Sequence, residues 1–329
     1  MTARIHNLLN PPPSFLRKVA SINSGIFGER KIQGSNVKDR AIPSESGSES
    51  SSSDEKIRTI KVSGDLELVS PFPAVHMRKS RTLIVSDLHL GIESRLEANG
   101  TSIPCSIYRN VADSILLPAR ELRCSQVYIL GDLKHGWRNT DRREERDVKR
   151  LVQEIRAVGA EPVLVLGNHD RYLKRTLKEL QVKSHESYAL LDGILLTHGH
   201  KRVKPRHGRG AISGLVMGHE HPAVSLRAEF GSRKETFKSF LVVPEDKGRS
   251  EPMMLVLPSV NPLAYGTSVN ETPKSDLLSP YLRESSKLWK ADVYLLEVGQ
   301  LLLPFPKLGI LRRKSWMQAL HALPGSAAG

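Results

Sequence analysis

Cysteine and aromatic side chains are scarce in this sequence of 329 residues, which has two Cys and 5% aromatic residues. Cys105 and Cys124 form neither a CxxC motif nor a pair at metal-binding spacing. A disulfide framework is therefore not expected, and a reducing, intracellular compartment is the default. Each cysteine is interpreted as a small buried hydrophobic residue.

Long hydrophobic runs are absent as well. None approaches the ~20 residues that a helix needs to cross a bilayer, and the longest, at 253–257 and 301–303, have the length of core strands. The sequence also shows no standard nucleic-acid-binding module and no stripe of aromatic residues for stacking on bases. With 39% hydrophobic and 26% charged residues, its composition is that of a globular protein.

Residues 1–56 lack a sustained hydrophobic period and are expected to be unfolded. Residues 1–43 carry seven Lys and Arg against two acids, and seven of the twelve residues 44–55 are Ser. Such segments bury too little apolar surface to offset chain entropy. The basic part resembles an organellar transit peptide, which would direct the chain to a chloroplast or mitochondrion. An ordinary disordered tail on a cytoplasmic or nuclear protein is the alternative.

Positive charge is in excess, with 49 Lys and Arg against 35 acidic residues and a formal net charge of +14. Residues 56–329 alone carry +13, so the excess belongs to the part expected to fold. This favours an anionic partner, such as a phosphate-rich substrate, a nucleic acid or a charged membrane surface. Solubility alone is the simpler alternative.

Residues 57–323 are predicted to form a single folded domain. Short apolar runs typical of buried strands alternate with helical stretches, which favours an α/β fold. Strands are expected at 62–69, 82–86, 126–130, 162–166, 193–197 and 214–217, and helices at 108–122, 141–158 and 172–180. After Pro222, strands at 223–230, 236–243, 253–257 and 293–297 follow without long helices, which predicts a second, more antiparallel sheet.

Two polar motifs come directly after predicted buried strands. Asp87 and His89 follow the strand at 82–86, and residues i and i+2 of an extended chain point to the same side, so the two can share one metal ion. Gly131 and Asp132 follow the strand at 126–130. The Gly allows close backbone approach, and the Asp can place one oxygen on each of two metals. Each motif alone is common by chance.

Three further motifs follow later strands. Residues 167–170 (GNHD) offer an amide oxygen as a ligand beside an imidazole that can donate a proton. Residues 197–200 (THGH) and 218–221 (GHEH) add imidazoles, and His219 and His221 can reach two different metals. Ligands of α/β folds bind at strand ends, so the five motifs together predict one site. Any one of these motifs alone would more often have a structural role.

The predicted site is a dinuclear metal centre. Its candidate ligands are Asp87, His89, Asp132, Asn168, an imidazole of the 197–200 motif, His219 and His221. Two acids, one amide and four imidazoles suit Mn, Fe or Zn better than Mg or Ca. We expect two divalent ions, with Mn²⁺ first and Fe, Zn or Ni as alternatives.

The string DxH … GD … GNHD … H … GHxH resembles the signature of calcineurin-like metallophosphoesterases over residues 81–222, with every ligand position filled. The resemblance implies the metallophosphatase fold, a four-layer αββα sandwich of two mixed β-sheets flanked by helices. It also implies that Asp132 bridges the metals and that His169 donates a proton or stabilises the transition state. The first metal would be held by Asp87, His89 and His221, and the second by Asn168, His198 and His219.

A narrower resemblance rests on residues 131–135 (GDLKH), 197–200 (THGH) and 257–263 (LPSVNPL). These strings are similar to an archaeal-type branch related to double-strand-break repair nucleases, which also occurs in plants and algae. The sequence lacks the large capping domain of the repair nucleases, which argues against processive exonuclease activity.

His169 and Asp170 are the candidate catalytic residues. In two-metal centres the ions lie about 3.5–4 Å apart and activate a water for in-line attack on phosphorus. His169 is expected to protonate the leaving group, and Asp170 to orient its ring. Candidate substrate contacts are the basic Lys201, Arg202 and Arg206, which follow the fourth motif, and His135, for which a supporting or surface role is the alternative.

The expected activity is hydrolysis of a phosphate ester, by a phosphodiesterase or nuclease-like enzyme acting on a polyanion such as nucleic acid. A phosphomonoesterase, or a nucleotide or cyclic-nucleotide phosphodiesterase, is the alternative within the class. A non-catalytic metal-binding or nucleic-acid-binding module is the alternative outside it, and the complete ligand set argues against it. No membrane partner is expected.

Overall fold

The structure is a computed structural model that describes residues 57–101, 107–136, 142–205, 212–227 and 234–312. The predictions made for residues 1–56, for Cys105 and for Arg206 lie outside these ranges. Within them, Cys124 is buried and free, as predicted, and burial raises the pKa of its thiol to about 11. No helix in the described ranges is long and apolar enough to cross a membrane.

The first sheet has seven strands, which lie side by side in their order along the chain. Neighbours are antiparallel from β1 to β4 and parallel from β4 to β7. The strands are β1 (Arg58–Ser63), β2 (Leu66–Ser70), β3 (Ala74–Met77), β4 (Thr82–Val85), β5 (Gln126–Leu130), β6 (Glu161–Val165) and β7 (Lys183–His185).

Parallel neighbours need crossover connections, and helices supply them. Between β4 and β5 lie α1 (Ile92–Ala98) and α2 (Tyr108–Glu121), between β5 and β6 lies α3 (Arg142–Ala157), and between β6 and β7 lies α4 (Lys174–Glu179). In α3 the buried Val148, Leu151, Val152 and Ile155 recur at helical spacing, so one face packs on the sheet. Burying each such side chain contributes about 1.5–3 kcal/mol.

The second sheet has nine strands, of which seven follow the order β14-β11-β12-β13-β10-β9-β8, while β15 pairs with β12 and β16. β9, β10 and β13 run parallel to one another. The strands are β8 (Tyr188–Leu191), β9 (Ile194–Thr197), β10 (Gly214–Met217), β11 (Pro222–Arg227), β12 (Lys234–Val243), β13 (Met253–Val256), β14 (Thr267–Ser268), β15 (Asp292–Glu297) and β16 (Leu301–Phe305).

The second sheet begins earlier than the sequence predicted. We expected it after Pro222, but β8, β9 and β10 already belong to it. The reason is that both sheets contain short parallel strands buried on both faces, which have the same apolar pattern whichever sheet they join. The fourth and fifth motifs therefore come from the second sheet, and the site is shared between the sheets.

The two sheets pack face to face, and helices cover their outer faces. Leu68, Ile84 and Leu130 of the first sheet share one buried cluster with Leu196 and Leu255 of the second. α2 and α3 cover the first sheet. The second is covered by short helices, α5 (Pro280–Glu284) and α6 (Leu308–Leu311), and by 3₁₀ turns. The predicted sandwich of two mixed sheets is confirmed, with a thin fourth layer.

Candidate metal centre

The loops that follow β4, β5, β6, β9 and β10 bring the predicted ligands together. Two groups have one possible ligand atom per residue, all within 4.8 Å of one another. The first group is Asp87, His89 and His221, and the second is Asp132, His198 and His219. Asn168 joins the second group, because its Oδ1 lies 3.0 Å from Nε2 of His198. All seven predicted ligands therefore converge.

Asp132 lies at the centre of these imidazoles. Its Oδ2 is 3.4 Å from Nε2 of His198, 3.7 Å from Nε2 of His169 and 3.9 Å from Nε2 of His89. These nitrogens belong to residues from three loops and both metal groups. A carboxylate at this position can contact two cations at once.

The donor set fits cations. Oδ1 of Asp87 and Nε2 of His221 are buried and lie 2.9 Å apart, yet neither has a hydrogen-bond partner in the described part of the chain. Buried polar atoms are rarely left without a partner, and a shared cation would satisfy both. Nδ1 of His198 lies 2.8 Å from the carbonyl oxygen of Leu130, so this nitrogen donates and the lone pair of Nε2 is available to a cation.

The buried carboxylates of the centre also favour the binding of positive charge. Burial opposes ionisation of Asp87, but the imidazoles of His221 and His198 lower the pKa of its carboxyl to about 2. Burial lowers the pKa of His198, but the carboxylates of Asp132 and Asp87 raise it to about 9. The two buried carboxylates thus favour positive charge at His198. Buried carboxylates beside imidazoles form an environment that favours divalent metals.

The backbone of the ligand loops is strained. Ten non-glycine residues in the described ranges have positive φ, and five of them are predicted ligands. These five are Asp87 (58°), His89 (43°), Asp132 (51°), His219 (67°) and His221 (45°). Such conformations cost about 1–3 kcal/mol each and cluster at functional sites. The strain is an indication of function that does not depend on residue type.

Two glycines in the motifs allow the loops to approach one another. A Cβ on Gly131 would lie 2.4 Å from Nδ1 of His198, and one on Gly167 would lie 2.3 Å from Oδ1 of Asp132. Gly131 also has a φ of +80°, which glycine adopts without strain. Glycine before Asp132 and before Asn168 is therefore required by the close packing of the loops, while the Asp and the Asn supply the polar atoms.

Asp170 holds the loops together through its carboxylate, and its role in orienting the ring of His169 stays a prediction. Its carboxylate accepts hydrogen bonds from the backbone N–H groups of Asp132 (2.7 Å), Leu133 (2.9 Å) and Gly167 (2.8 Å). Burial and the charge of Asp132 raise the pKa of Asp170 to about 6, although these bonds act against the shift. Asp170 therefore joins the loops after β5 and β6.

The ring of His169 is held by the main chain. Its Nδ1 lies 2.6 Å from the carbonyl oxygen of His135, which requires a hydrogen on that nitrogen. Its Nε2 is then the atom nearest Asp132, at 3.7 Å. The ring of His135 contacts the first metal group through Nδ1, 3.4 Å from Nδ1 of His89. Burial and the neighbouring His169 lower the pKa of His135 to about 4.

The predicted substrate contacts have separate outcomes. His135 lies among the candidate ligands. Lys201 is exposed and follows His198 by three residues, and Arg206 lies outside the described residues. The guanidinium of Arg202 forms an ion pair with Glu284 and stacks on the ring of Tyr281, 5.1 Å from its centroid. Arg202 is thus bound to α5, because its loop packs against the outer helical layer, and the prediction that it binds substrate is not supported.

Residues beyond β10 also contribute to the site, and none of the five motifs contains them. Ser279 donates through its hydroxyl to the carbonyl of Gly199 (2.9 Å) and through its N–H to Glu220 (2.8 Å), so it links the fourth and fifth motifs. Asn261 donates to the carbonyls of Leu88 (2.8 Å) and His89 (3.2 Å). The string 257–263, on which the narrower resemblance rests, contains Asn261 and is the sequence signal for it.

Gly266 provides a test of how the loop carrying His221 is packed. A Cβ at this position would lie 1.8 Å from the carbonyl oxygen of His221, and a backbone atom cannot move aside without moving the ligand. We expect Gly266→Ala to destabilise the protein by about 1–3 kcal/mol and to weaken metal binding, measured by denaturant unfolding and by titration with Mn²⁺. Gly248→Ala, whose Cβ would meet its nearest neighbour at 3.5 Å, is the control. Equal stability of the two variants would contradict the prediction.

Comparisons with known proteins agree with this geometry. Residues 80–222 match the family of calcineurin-like phosphoesterases, and this segment contains all seven predicted ligands. No curated protein matches the chain. The match and the fold define a hydrolase acting on ester bonds. Within that class, residues 80–222 are similar to the calcineurin-like phosphoesterases.

One solved structure has a similar fold, and a second is similar over part of the chain. The chain is similar to nuclease MPE of Pseudomonas putida, with 21% identity over 76% of this chain and 100% of that chain and a TM-score of 0.51. It is also similar to Yfce, a phosphoesterase from E. coli, with 19% identity over 67% of this chain and 90% of that chain and a TM-score of 0.32. The likeness to the nuclease supports the fold.

Proposed function

We propose that this protein is a dinuclear-metal-dependent phosphodiesterase or nuclease-like enzyme that hydrolyses a polyanionic phosphate ester. The observation that carries the proposal is the position of Asp132 between two groups of acid and imidazole ligands, each of which has the composition of a metal site. Two adjacent cations bridged by one carboxylate are the arrangement that phosphoester hydrolysis uses.

The metal ligands are assigned as follows. Asp87, His89 and His221 would hold the first metal, Asn168, His198 and His219 would hold the second, and Asp132 would contribute to both. The mixture of oxygen and nitrogen donors favours Mn²⁺ over Mg²⁺ or Ca²⁺. When bound, the metals supply Lewis-acid stabilisation of phosphoryl oxygens and a low-pKa water.

His169 is the proton donor to the leaving group. Since its Nδ1 is committed to the carbonyl of His135, only Nε2 can exchange a proton, and that atom lies beside Asp132. His135 supports His89 by pairing with its Nδ1, which leaves Nε2 of His89 for the metal. The chain supplies no covalent nucleophile in this scheme.

A diester or nucleic-acid substrate is favoured by the net charge of +13 on residues 56–329, by the nuclease of similar fold and by the resemblance to the archaeal-type branch. One observation favours a smaller phosphate ester. Basic residues beside the motifs are neutralised by acids, as Arg175 is by Glu179, Lys174 by Glu186 and Arg202 by Glu284. A small phosphomonoester or nucleotide is therefore the second candidate.

A substrate panel with added Mn²⁺ tests the proposal and separates the two candidates. We expect bound transition metal in the purified protein, and hydrolysis of an aryl phosphodiester and of single-stranded DNA or RNA that stops on chelation and returns with Mn²⁺. Activity confined to monoesters or cyclic nucleotides would favour the second candidate. Salt-sensitive nucleic-acid binding without metal and without hydrolysis would contradict both and would favour a binding module.

A further inference from the structure

Lys238 on β12 has its ammonium group enclosed in the protein, although part of the residue reaches the surface. The ammonium donates to three main-chain carbonyls, those of Ser259 (2.9 Å), Asn261 (3.0 Å) and Ala264 (3.1 Å). An ammonium has three donors and no acceptor, so all of its hydrogens are used. None of the five motifs contains this lysine.

The three carbonyls belong to one loop, residues 259–264, which we call the support loop. Carbonyl oxygens that converge on one point repel each other unless a cation lies between them. Lys238 supplies that cation from the neighbouring strand. The conformation of the support loop therefore depends on the hydrogen bonds of an ammonium group buried beneath it, and burial lowers the pKa of that group to about 7.

The support loop in turn holds the loop that carries Asp87 and His89. The hydroxyl of Ser259 donates to the carbonyl of Asp87 (2.7 Å), and the amide of Asn261 donates to the carbonyls of Leu88 (2.8 Å) and His89 (3.2 Å). The N–H of Val260 donates to the carbonyl of Ser86 (3.1 Å). Four consecutive carbonyls, from residue 86 to residue 89, are thus bonded to the support loop.

These bonds act on strained backbone. Asp87 and His89 have φ of 58° and 43°, which non-glycine residues keep only where their surroundings impose it. Relaxation of either residue would turn its side chain away from the metal position. Loss of a hydrogen bond that orients a metal ligand typically lowers metal affinity about 10–100-fold.

We propose that Lys238 is a positioning residue which, through the support loop, fixes Asp87 and His89 in the conformation that captures the first metal. This inference rests on the metal centre of the proposed function and adds to it a determinant of metal affinity that lies outside the ligand set. Lys238 touches neither metal nor substrate, so its effect is on metal binding and not on the chemical step.

The test is Lys238→Met, which keeps the length of the side chain and removes its charge. We expect the dissociation constant for Mn²⁺, measured by calorimetric titration of metal-free protein, to rise about 10–100-fold. Phosphodiester hydrolysis is expected to fall at low Mn²⁺ and to return to within a few-fold of wild type at saturating Mn²⁺. The matched control is Lys234→Met on the same strand, where the lysine is exposed and pairs with Glu271; its Mn²⁺ affinity is expected to be unchanged.

A merely structural role predicts a different result, namely a lower melting temperature with an unchanged Mn²⁺ dissociation constant, and that result would overturn the proposal. If Lys238→Met does not fold, Asn261→Ala and Ser259→Ala remove the next links of the chain of contacts and are expected to weaken Mn²⁺ binding in the same way. Unchanged Mn²⁺ affinity in both would also overturn it.

The two proposals fail in distinguishable ways. Wild-type protein that binds no Mn²⁺ or other transition metal would overturn the metal centre and the role of Lys238 together. Tight Mn²⁺ binding that weakens in Lys238→Met, with no hydrolysis of any phosphate ester, would remove the proposed function and leave the role of Lys238 supported.

Discussion

Replacing Asp132 by Asn is expected to lower kcat/KM for an aryl phosphodiester about a thousandfold, since metal ions contribute several kcal/mol to such reactions and each ~1.4 kcal/mol is tenfold. The substitution keeps the shape of the side chain but removes the charge that lies between the two metal groups. Mn²⁺ affinity is expected to fall as well. Both quantities are measured on the same preparation, by steady-state kinetics and by metal titration.

Asp192→Asn is the matched control for this substitution. Asp192 is exposed in the turn between β8 and β9 and has a positive φ of 49°, a conformation that Asn tolerates well, so stability and activity should be unchanged. If Asp132→Asn retained activity close to that of Asp192→Asn, no bridging carboxylate would be needed and the dinuclear assignment would be wrong.

Replacing His169 by Asn is expected to lower kcat about 10²–10⁴-fold for a diester with an alkoxide leaving group, because general acid catalysis contributes by that amount. A p-nitrophenyl leaving group needs little protonation, and its rate is expected to fall far less. The variant should bind Mn²⁺ as the wild type does, because His169 is assigned to proton transfer and not to a metal. The measurement is a comparison of the two substrates at saturating Mn²⁺.

Two outcomes would count against this role. An equal loss for both leaving groups would mean that His169 acts by another route, such as stabilising charge on phosphorus. A loss of Mn²⁺ affinity would mean that His169 is a ligand, which its position in a third cluster with His89 and His135 makes a concrete alternative. The two experiments together separate these cases.

The convergence of the seven candidate ligands was predictable because it depends on local features of the sequence. Each ligand follows an apolar run of strand length, and parallel strands end at one edge of a sheet, so chemistry at those ends converges. The pattern predicted the convergence of these seven side chains without any knowledge of which sheet each strand joins. That knowledge was not needed because the strand ends of both sheets meet at the site.

The contacts that hold the ligands were not predictable in the same way. Asp170 lies next to His169 in sequence, yet it bonds backbone groups of another loop, 37 and 38 positions away. Arg202 follows a ligand motif, yet it pairs with Glu284, 82 positions away. Such pairings depend on how distant loops pack. Sequence spacing carries that information only for residues on one element, so proximity in the chain was a poor guide to role.

The order of the chain separates the ligands from their supports. Every predicted ligand occurs before residue 222, whereas Lys238, the support loop and Ser279 all come later. A fragment ending at residue 222 would contain the complete signature and lack the strands and loops that impose its geometry. A signature of this kind therefore identifies the candidate ligands in a sequence, but the segment that contains it would not be sufficient to form the site. A functional graft of this centre onto another protein would have to carry the later half of the fold with it.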